Sequence, residues 1–420
     1  MTARPLPQPL AGRGLAESGN GVDSGSPGRR TRAPIRVLIV DDSLTVRTIL
    51  KRIVERESDM VIASTASSAE RALAALTTRN APLLADVILL DLAMPGMGGL
   101  EGLPAILTAA PHAHVLVVSS LTKRGAEATV QALATGAADT MLKPLPGGFD
   151  EAYCGQLVAK IRALGRANRT EASALGSALA LQQPARSPAL MSAVSVRTDA
   201  ARVRRAQVLA IGASTGGIHA LNGFLQALRP AFSLPILITQ HLPASFMPVF
   251  ARQIETASGR KTQIACDGLE IVAGEVVIAP GLGHLTVKRM GERLYCQIAS
   301  EPAPTGCVPS VDPMFESLAR ACEGRALGIL LSGMGRDGAE GARALIATGG
   351  AIWAQDAATS AVWGMPGAVA NAGLATLVGP PDELGEALMA QWAAPGEAEC
   401  ARSQPPESST ASPTLSLAKS

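Results

Sequence analysis

Aromatic side chains are scarce: six Phe, two Tyr and three Trp make up 3% of 420 residues, too few to build a platform on which bases stack. Charge of one sign is also lacking. The 37 Lys and Arg against 35 Asp and Glu leave a net charge of +2, which gives no electrostatic case for nucleic acid or an anionic membrane surface as partner. No two of the six cysteines (Cys154, Cys266, Cys296, Cys307, Cys322, Cys400) form a C-x-x-C pair, and most sit in apolar or helical surroundings. A reducing compartment with thiols acting as small hydrophobes is therefore expected, rather than a disulfide frame or a zinc site. The opening segment has no apolar stretch of the kind a secretory signal needs, and residues 1–33 read as a disordered lead. The uncharged stretches Pro230–Ala251 and Ala357–Pro381 are broken by prolines and by Gln240, His241, Asn371 and Thr376, so they read as core with turns and not as membrane spans. A soluble, cytoplasmic protein without direct membrane insertion is the expectation.

What is present is ample apolar residue, 47% of the chain, over a length that suits two domains with sizeable cores. Ile35–Val40 (IRVLIV) is an unbroken apolar run of the kind covered on both faces in a parallel sheet. Ser43 caps an amphipathic stretch to about Glu57. Further strands are expected at Val61–Thr65, Val87–Leu90, Val115–Val118 and Thr140–Leu142, alternating with helical patterns at Ser67–Arg79, Leu100–Ala109, Gly125–Ala134 and Phe149–Leu164. That alternation predicts a doubly wound α/β domain over residues 34–152. From about Arg166 to Arg205 periodicity is poor, and a terminal helix with linker is expected over residues 153–205, with a helical piece near Ala172–Leu181. A second α/β pattern occupies residues 206–395, with strands at Val208–Ile211, Pro235–Thr239, Glu275–Ala279, Leu327–Leu331 and Gly350–Ala354. The Ser/Pro-rich residues 396–420 read as a disordered tail.

In a parallel α/β sheet, function gathers outside the carboxyl ends of the strands. In the first domain those ends carry Asp41 and Asp42, Asp91, Ser119 and Lys143. Three carboxylates brought together repel one another and call for a hard cation such as Mg²⁺. Asp91, central among them, could accept a phosphoryl group whose oxygens Mg²⁺ and Lys143 neutralise, with Ser119 reporting its arrival. Each Asp alone could be a helix cap or turn residue; five such positions at successive strand ends argue otherwise.

The pieces LIVDDS, LLDLAMPGMGGLEGL, VVSSLT and MLKP make this domain resemble a response-regulator receiver, a flavodoxin-like fold. The resemblance implies Asp91 as phosphoacceptor, Asp42 and Asp91 as direct Mg²⁺ ligands, Asp41 in the outer shell, and Ser119 and Lys143 as switch partners. Receivers often have an aromatic residue where Thr140 stands, and an Asp where Gly98 stands.

The second domain opens on VLAIGASTGGIHA, and its glycine-rich turn has two readings. A dinucleotide loop needs G-x-G-x-x-G and a P-loop needs Gly-Lys-Ser/Thr, whereas no lysine lies between Arg205 and Arg229. A phosphate cradle made of backbone N–H groups alone stays open as an alternative. Gly212-x-Ser214-x-Gly216 matches the elbow that exposes a serine nucleophile between strand and helix, with the Thr215 N–H aimed where an oxyanion would form. Such a serine needs a base and an acid that orients it. Of the five histidines, His241 directly follows an apolar strand and so shares a sheet edge with Ser214; His219 should point away on the emerging helix, and His284, in PGLGHL, suits a structural or substrate-side role. For the acid, Asp337 in the loop after LGILL is favoured over Asp312 and Asp356, because its loop also leaves a strand end.

Taken in order, IGASTGG, TQHLP, IAPG, PSVDPMF, LSGMGRDG and WGMPGAV make residues 206–390 resemble the catalytic domain of chemotaxis protein-glutamate methylesterases, and a receiver ahead of it strengthens the likeness. The family usually has arginine where Val308 stands. The resemblance implies a Rossmann-like three-layer esterase domain and a Ser214–His241–Asp337 triad. It implies N–H groups of Thr215 and Met334 around the oxyanion, and no cofactor for the esterase. It further implies a methylated chemoreceptor as substrate, glutamine deamidation as a companion activity, and a histidine kinase as phosphodonor to Asp91. The unphosphorylated receiver would cover the catalytic cleft. Two other readings are a receiver joined to a non-catalytic ligand-binding domain, and a regulator acting on DNA; residues 206–395 carry no basic face or recognition-helix pattern for the latter.

Overall fold

A computed structural model describes residues 33–78, 83–119, 122–144, 148–178 and 201–392. The expected tail and all but the last residue of the expected lead fall outside these residues. Among the described residues no helix is long and apolar enough to cross a membrane.

The first five strands are β1 (Ile35–Val40), β2 (Met60–Ala66), β3 (Val87–Leu90), β4 (His114–Ser119) and β5 (Asp139–Leu142). They form one parallel sheet in the order β2-β1-β3-β4-β5. Between them run α1 (Leu44–Glu55), α2 (Ala69–Leu76), α3 (Gly99–Ala109) and α4 (Lys123–Thr135), and α5 (Glu151–Ala178) follows. Ser43 Oγ, Ser68 Oγ and Thr122 Oγ1 accept the backbone N–H groups of Val46, Arg71 and Gly125, which starts α1, α2 and α4. Alternate residues of β1 face opposite cores: Ile35, Val37 and Ile39 pack with α1 and α5, while Leu38 and Val40 pack with α2, α3 and α4. Both faces are covered, which is why the strand reads as a continuous apolar run.

The terminal helix expected within residues 153–205 is present as α5, which continues unbroken past Arg166 to Ala178 and so runs into the helical piece expected near Ala172–Leu181. Its extension, RANRTEASALGSA, holds four Ala and two Arg, and these intrinsic preferences outweigh the weak apolar periodicity. Residues 179–200, the rest of the expected linker, lie outside the described residues.

The second sheet has seven parallel strands in the order β14-β13-β12-β6-β7-β9-β8. These are β6 (Val208–Ala213), β7 (Ile236–Gln240), β8 (Thr262–Ile264), β9 (Val276–Ile278), β12 (Ala326–Leu330), β13 (Ala351–Gln355) and β14 (Leu377–Gly379). The helices are α6 (Gly217–Ala227), α7 (Met247–Ser258), α8 (Val311–Cys322), α9 (Ala339–Ala347), α10 (Met365–Asn371) and α11 (Pro381–Trp392). Leu209 and Ile211 of β6 face the core made with α6, α7 and α11, whereas Val208 and Ala210 face α8, α9 and α10, so the domain has three layers. From β6 the chain winds first toward β7 and later returns on the other side at β12, which puts the topological switch between β6 and β12. Sequence reading overlooked β8, β14 and the antiparallel hairpin β10 (His284–Met290)–β11 (Arg293–Ala299). The hairpin alternates apolar with polar residues about Gly291, so a search for unbroken apolar runs passes over it.

Candidate functional site

Three loops leave the carboxyl ends of β6 and β12, the strands that flank the switch point, and of β7 beside them, and they carry Ser214, His241 and Asp337. The Ser214 turn is held on all sides. Its N–H donates to Ser332 O at 3.0 Å, and its carbonyl accepts from Gly217 N at 2.8 Å and from Gln240 Nε2 at 2.9 Å. Ser332 Oγ in turn donates to Thr215 O at 2.7 Å. Gly216 adopts φ +77°, and a Cβ there would lie 2.6 Å from Ala361 Cβ and from Ser332 Oγ, so only glycine lets the chain turn this tightly into α6. A Cβ on Gly333 would press within 2.9 Å of Ser214 Cβ, so the β12 loop fixes the serine from the other side.

His241 bridges the other two. Its Nδ1 lies 3.1 Å from Ser214 Oγ and its Nε2 lies 2.7 Å from Asp337 Oδ2. A carboxylate offers no proton, so in the neutral imidazole Nε2 carries the hydrogen and Nδ1 presents its lone pair to the serine hydroxyl. Asp337 is buried, with relative exposure of 1%, and is satisfied by more than the imidazole. Ser310 Oγ donates to Oδ1 at 2.6 Å, and the first N–H of α8, from Val311, donates to Oδ2 at 2.7 Å. The carboxylate thus sits on a helix N-terminus, where the dipole favours negative charge. Burial alone would raise the Asp337 pKa, but the His241, Ser310 and Val311 donors outweigh it and hold it at about 2. Burial likewise pulls His241 down, but Asp337 and the neighbouring Cys307 pull harder upward, to about 9.

The rival candidates are occupied elsewhere. Asp312 Oδ1 accepts from Gly341 N at 2.8 Å, and burial with the nearby Asp337 charge lifts its pKa to about 6 against that donor. Asp356 accepts from the Thr359 backbone and hydroxyl. His284 is buried between Ser310 N, which donates to its Nδ1 at 2.9 Å, and Glu301 O, 2.9 Å from its Nε2; it supports the segment that presents Ser310 at the start of α8. Thr215 is buried and Met334 is 40% exposed, and among the described residues neither N–H is taken by an acceptor. Sequence reading missed Ser310, Gln240 and Ser332. The polar pair Gln240-His241 at the end of a buried strand was the available sign for one of them.

In the first domain Lys143 Nζ lies 2.7 Å from both Asp41 Oδ2 and Asp91 Oδ2. Burial would lower the Lys143 pKa, and these two partners raise it. Burial raises that of Asp41 despite Lys143. Oxygens of Asp41, Asp42 and Asp91 lie within 4.8 Å of one another, and Asp42 is exposed. This all-oxygen set with one side open to water suits Mg²⁺. Ser119 is buried with its hydroxyl 2.7 Å from that of Thr129.

The β5 edge of the first sheet touches the serine turn itself. Gly216 N donates to Ala138 O at 2.5 Å, and Thr215 Oγ1 donates to Asp139 Oδ2 at 2.5 Å. Lys160 Nζ completes the Asp139 contacts at 2.5 Å. A cavity of about 260 Å³ is left between β5, α5 and the His241 loop.

Residues 209–388 match the family described as CheB methylesterase, and residues 37–148 match the response regulator receiver domain. The chain is 42% identical over 356 residues to protein-glutamate methylesterase/protein-glutamine glutaminase 2 of Caulobacter vibrioides, covering 84% of this chain and 97% of that one. It is 38% identical over 372 residues to a protein of the same description from Azospirillum brasilense, covering 84% and 91%. Among solved structures, the CheB methylesterase catalytic domain of Thermotoga maritima is 31% identical over 44% of this chain and 98% of that one, with a TM-score of 0.43.

The His241–Asp337 bond can be read directly by following the His241 ring signals in an NMR pH titration. The wild type should titrate well above an ordinary histidine, near 9. Asp337→Asn keeps the burial and removes the opposing charge, so the titration moves down; an unchanged midpoint would show that the carboxylate does not govern this imidazole.

Proposed function

Because the chain belongs to the CheB methylesterase family, we propose that it is a receiver-controlled serine esterase that hydrolyses glutamate γ-methyl esters on chemoreceptors, with deamidation of receptor glutamines as a second activity of the same site. The observation that carries this reading is the imidazole of His241 spanning Ser214 Oγ and Asp337 Oδ2 at 3.1 and 2.7 Å.

The chemistry follows from that geometry. Ser214 Oγ attacks the ester carbonyl carbon while its proton passes to His241 Nδ1. The oxyanion faces the N–H groups of Thr215 and Met334. The tetrahedral species collapses, His241 returns the proton to the departing methoxide, and methanol leaves an acyl-Ser214 ester. Water then gives a proton to His241 and attacks that ester, releasing the glutamate side chain and restoring the serine. Asp337 does not take the proton. It fixes the tautomer that leaves Nδ1 free, and it stabilises the imidazolium at each step.

The receiver supplies control. Asp91 is the phosphoacceptor, with a histidine kinase as donor. Mg²⁺, held by Asp42 and Asp91 with Asp41 behind them, would supply positive charge against the acyl-phosphate oxygens, and Lys143 and Ser119 would sense the modification. With β5 bonded to Thr215 and Gly216, the receiver closes on the loop that carries the nucleophile. Phosphorylation favours a form in which those bonds are released, since a ligand shifts an equilibrium toward the state it binds better.

Methanol release from methylated receptor tests both halves. Ser214→Ala should lose about 10⁴-fold or more, since removal of the nucleophile disables the whole proton relay; a variant that keeps its activity would end the esterase reading. Asp139→Asn, which weakens the receiver's hold on Thr215, should raise the unphosphorylated rate about tenfold, the equivalent of one charged hydrogen bond, and shrink the stimulation by a phosphodonor. A rate that stays at the wild-type basal level would rule out Asp139 as a restraint.

A further inference from the structure

Cys307 has no part in the relay, yet it lies against it. One ligand atom each from His241, Cys307 and Asp337 falls within 4.8 Å of the other two. The thiol is half-buried and borders two clefts: one of about 450 Å³ shared with Asp337, Met334 and Arg336, and one of about 470 Å³ shared with His241, Leu282 and Val308. It can therefore be reached from outside. A sulfur, an imidazole nitrogen and a carboxylate oxygen form a mixed set that suits zinc, whereas the receiver's all-carboxylate set suits a hard cation. Tetrahedral zinc places its ligand atoms about 3.5 Å apart, so donors that lie within 4.8 Å of one another, with His241 Nε2 and Asp337 Oδ2 at 2.7 Å, need only small shifts in either direction, and water can fill the fourth position.

We propose that His241, Cys307 and Asp337 form an inhibitory site for a thiophilic divalent cation of the zinc type. Binding converts the Cys307 thiol to a metal-bound thiolate and releases to solvent its proton and, from the imidazolium form of His241, the second ring proton. Neutral imidazole has a single lone pair, so a ring nitrogen bound to metal leaves the other one protonated. No acceptor then remains for the Ser214 proton, whichever nitrogen is ligated. The inhibition rests on the esterase reading above; the binding does not.

The test uses the full chain with excess Mg²⁺ present to occupy the receiver carboxylates. Co²⁺ added alone reports the site through thiolate-to-cobalt absorption, which should be present in the wild type and lost in Cys307→Ala and Cys307→Ser. In parallel, methanol release with Zn²⁺ is compared with release under a chelator for each protein. Both variants should need about 100-fold more Zn²⁺ for the same fractional inhibition, since even loss of outer support for a metal costs up to that much. A wild type without the cobalt band, a band that persists in the variants, or equal zinc sensitivity would overturn the proposal. Absent methanol release under chelator would count against the esterase reading, and the cobalt band would still decide the site.

Discussion

Burial of the Asp337 carboxylate is the constraint on which the site depends. An isolated charge that deep in protein is unstable, and here it is matched by the N-terminus of α8, the Ser310 hydroxyl and one N–H of His241. The arrangement works in both directions. The donors keep the carboxylate ionised, and the ionised carboxylate holds the imidazole in the one tautomer that faces Ser214 with a lone pair. Support extends outward through His284, which accepts from Ser310 N and so holds the segment that carries the Ser310 hydroxyl. Ser214 is fixed separately, by Gln240, Ser332 and two glycines that allow close approach of backbone.

Control is attached where it can act on the reaction directly. The receiver reaches the Thr215–Gly216 backbone and side chain through Ala138 and Asp139, at the amino end of β5. Lys143 leaves the other end of β5 and binds Asp91. One short strand therefore has a carboxylate pocket at its carboxyl end and the esterase loop at its amino end. A change in charge at Asp91 and a change in the freedom of Thr215 are separated by a single rigid element.

Much of this was legible because parallel sheets write themselves plainly. Buried strands such as IRVLIV and VLAIGA appear as apolar runs, and the polar residues just beyond them are where sites form. That logic brings Ser214, His241 and Asp337 to one sheet edge, and in the structure His241 lies within hydrogen-bond reach of both Ser214 and Asp337. The logic fails where structure does not depend on a continuous apolar run. The β10–β11 hairpin alternates, β8 and β14 are three residues each, and the end of α5 is set by helix preference without amphipathic pattern. Ser310 and Ser332 could not be singled out, because a serine that supports an acid looks like any other serine until the fold places it. The orientation of His241, with Nδ1 and not Nε2 toward the serine, is likewise a matter of backbone geometry.

The account stands on Ser214 being a nucleophile activated by His241 and Asp337. Mass spectrometry after treatment with a fluorophosphonate, which reacts readily with an activated serine hydroxyl and hardly at all with an ordinary one, addresses that most directly. The prediction is a single adduct on Ser214 that forms readily in the intact chain and becomes very slow in Asp337→Asn. An adduct on another residue, or equal labelling of Ser214 in both proteins, would contradict it.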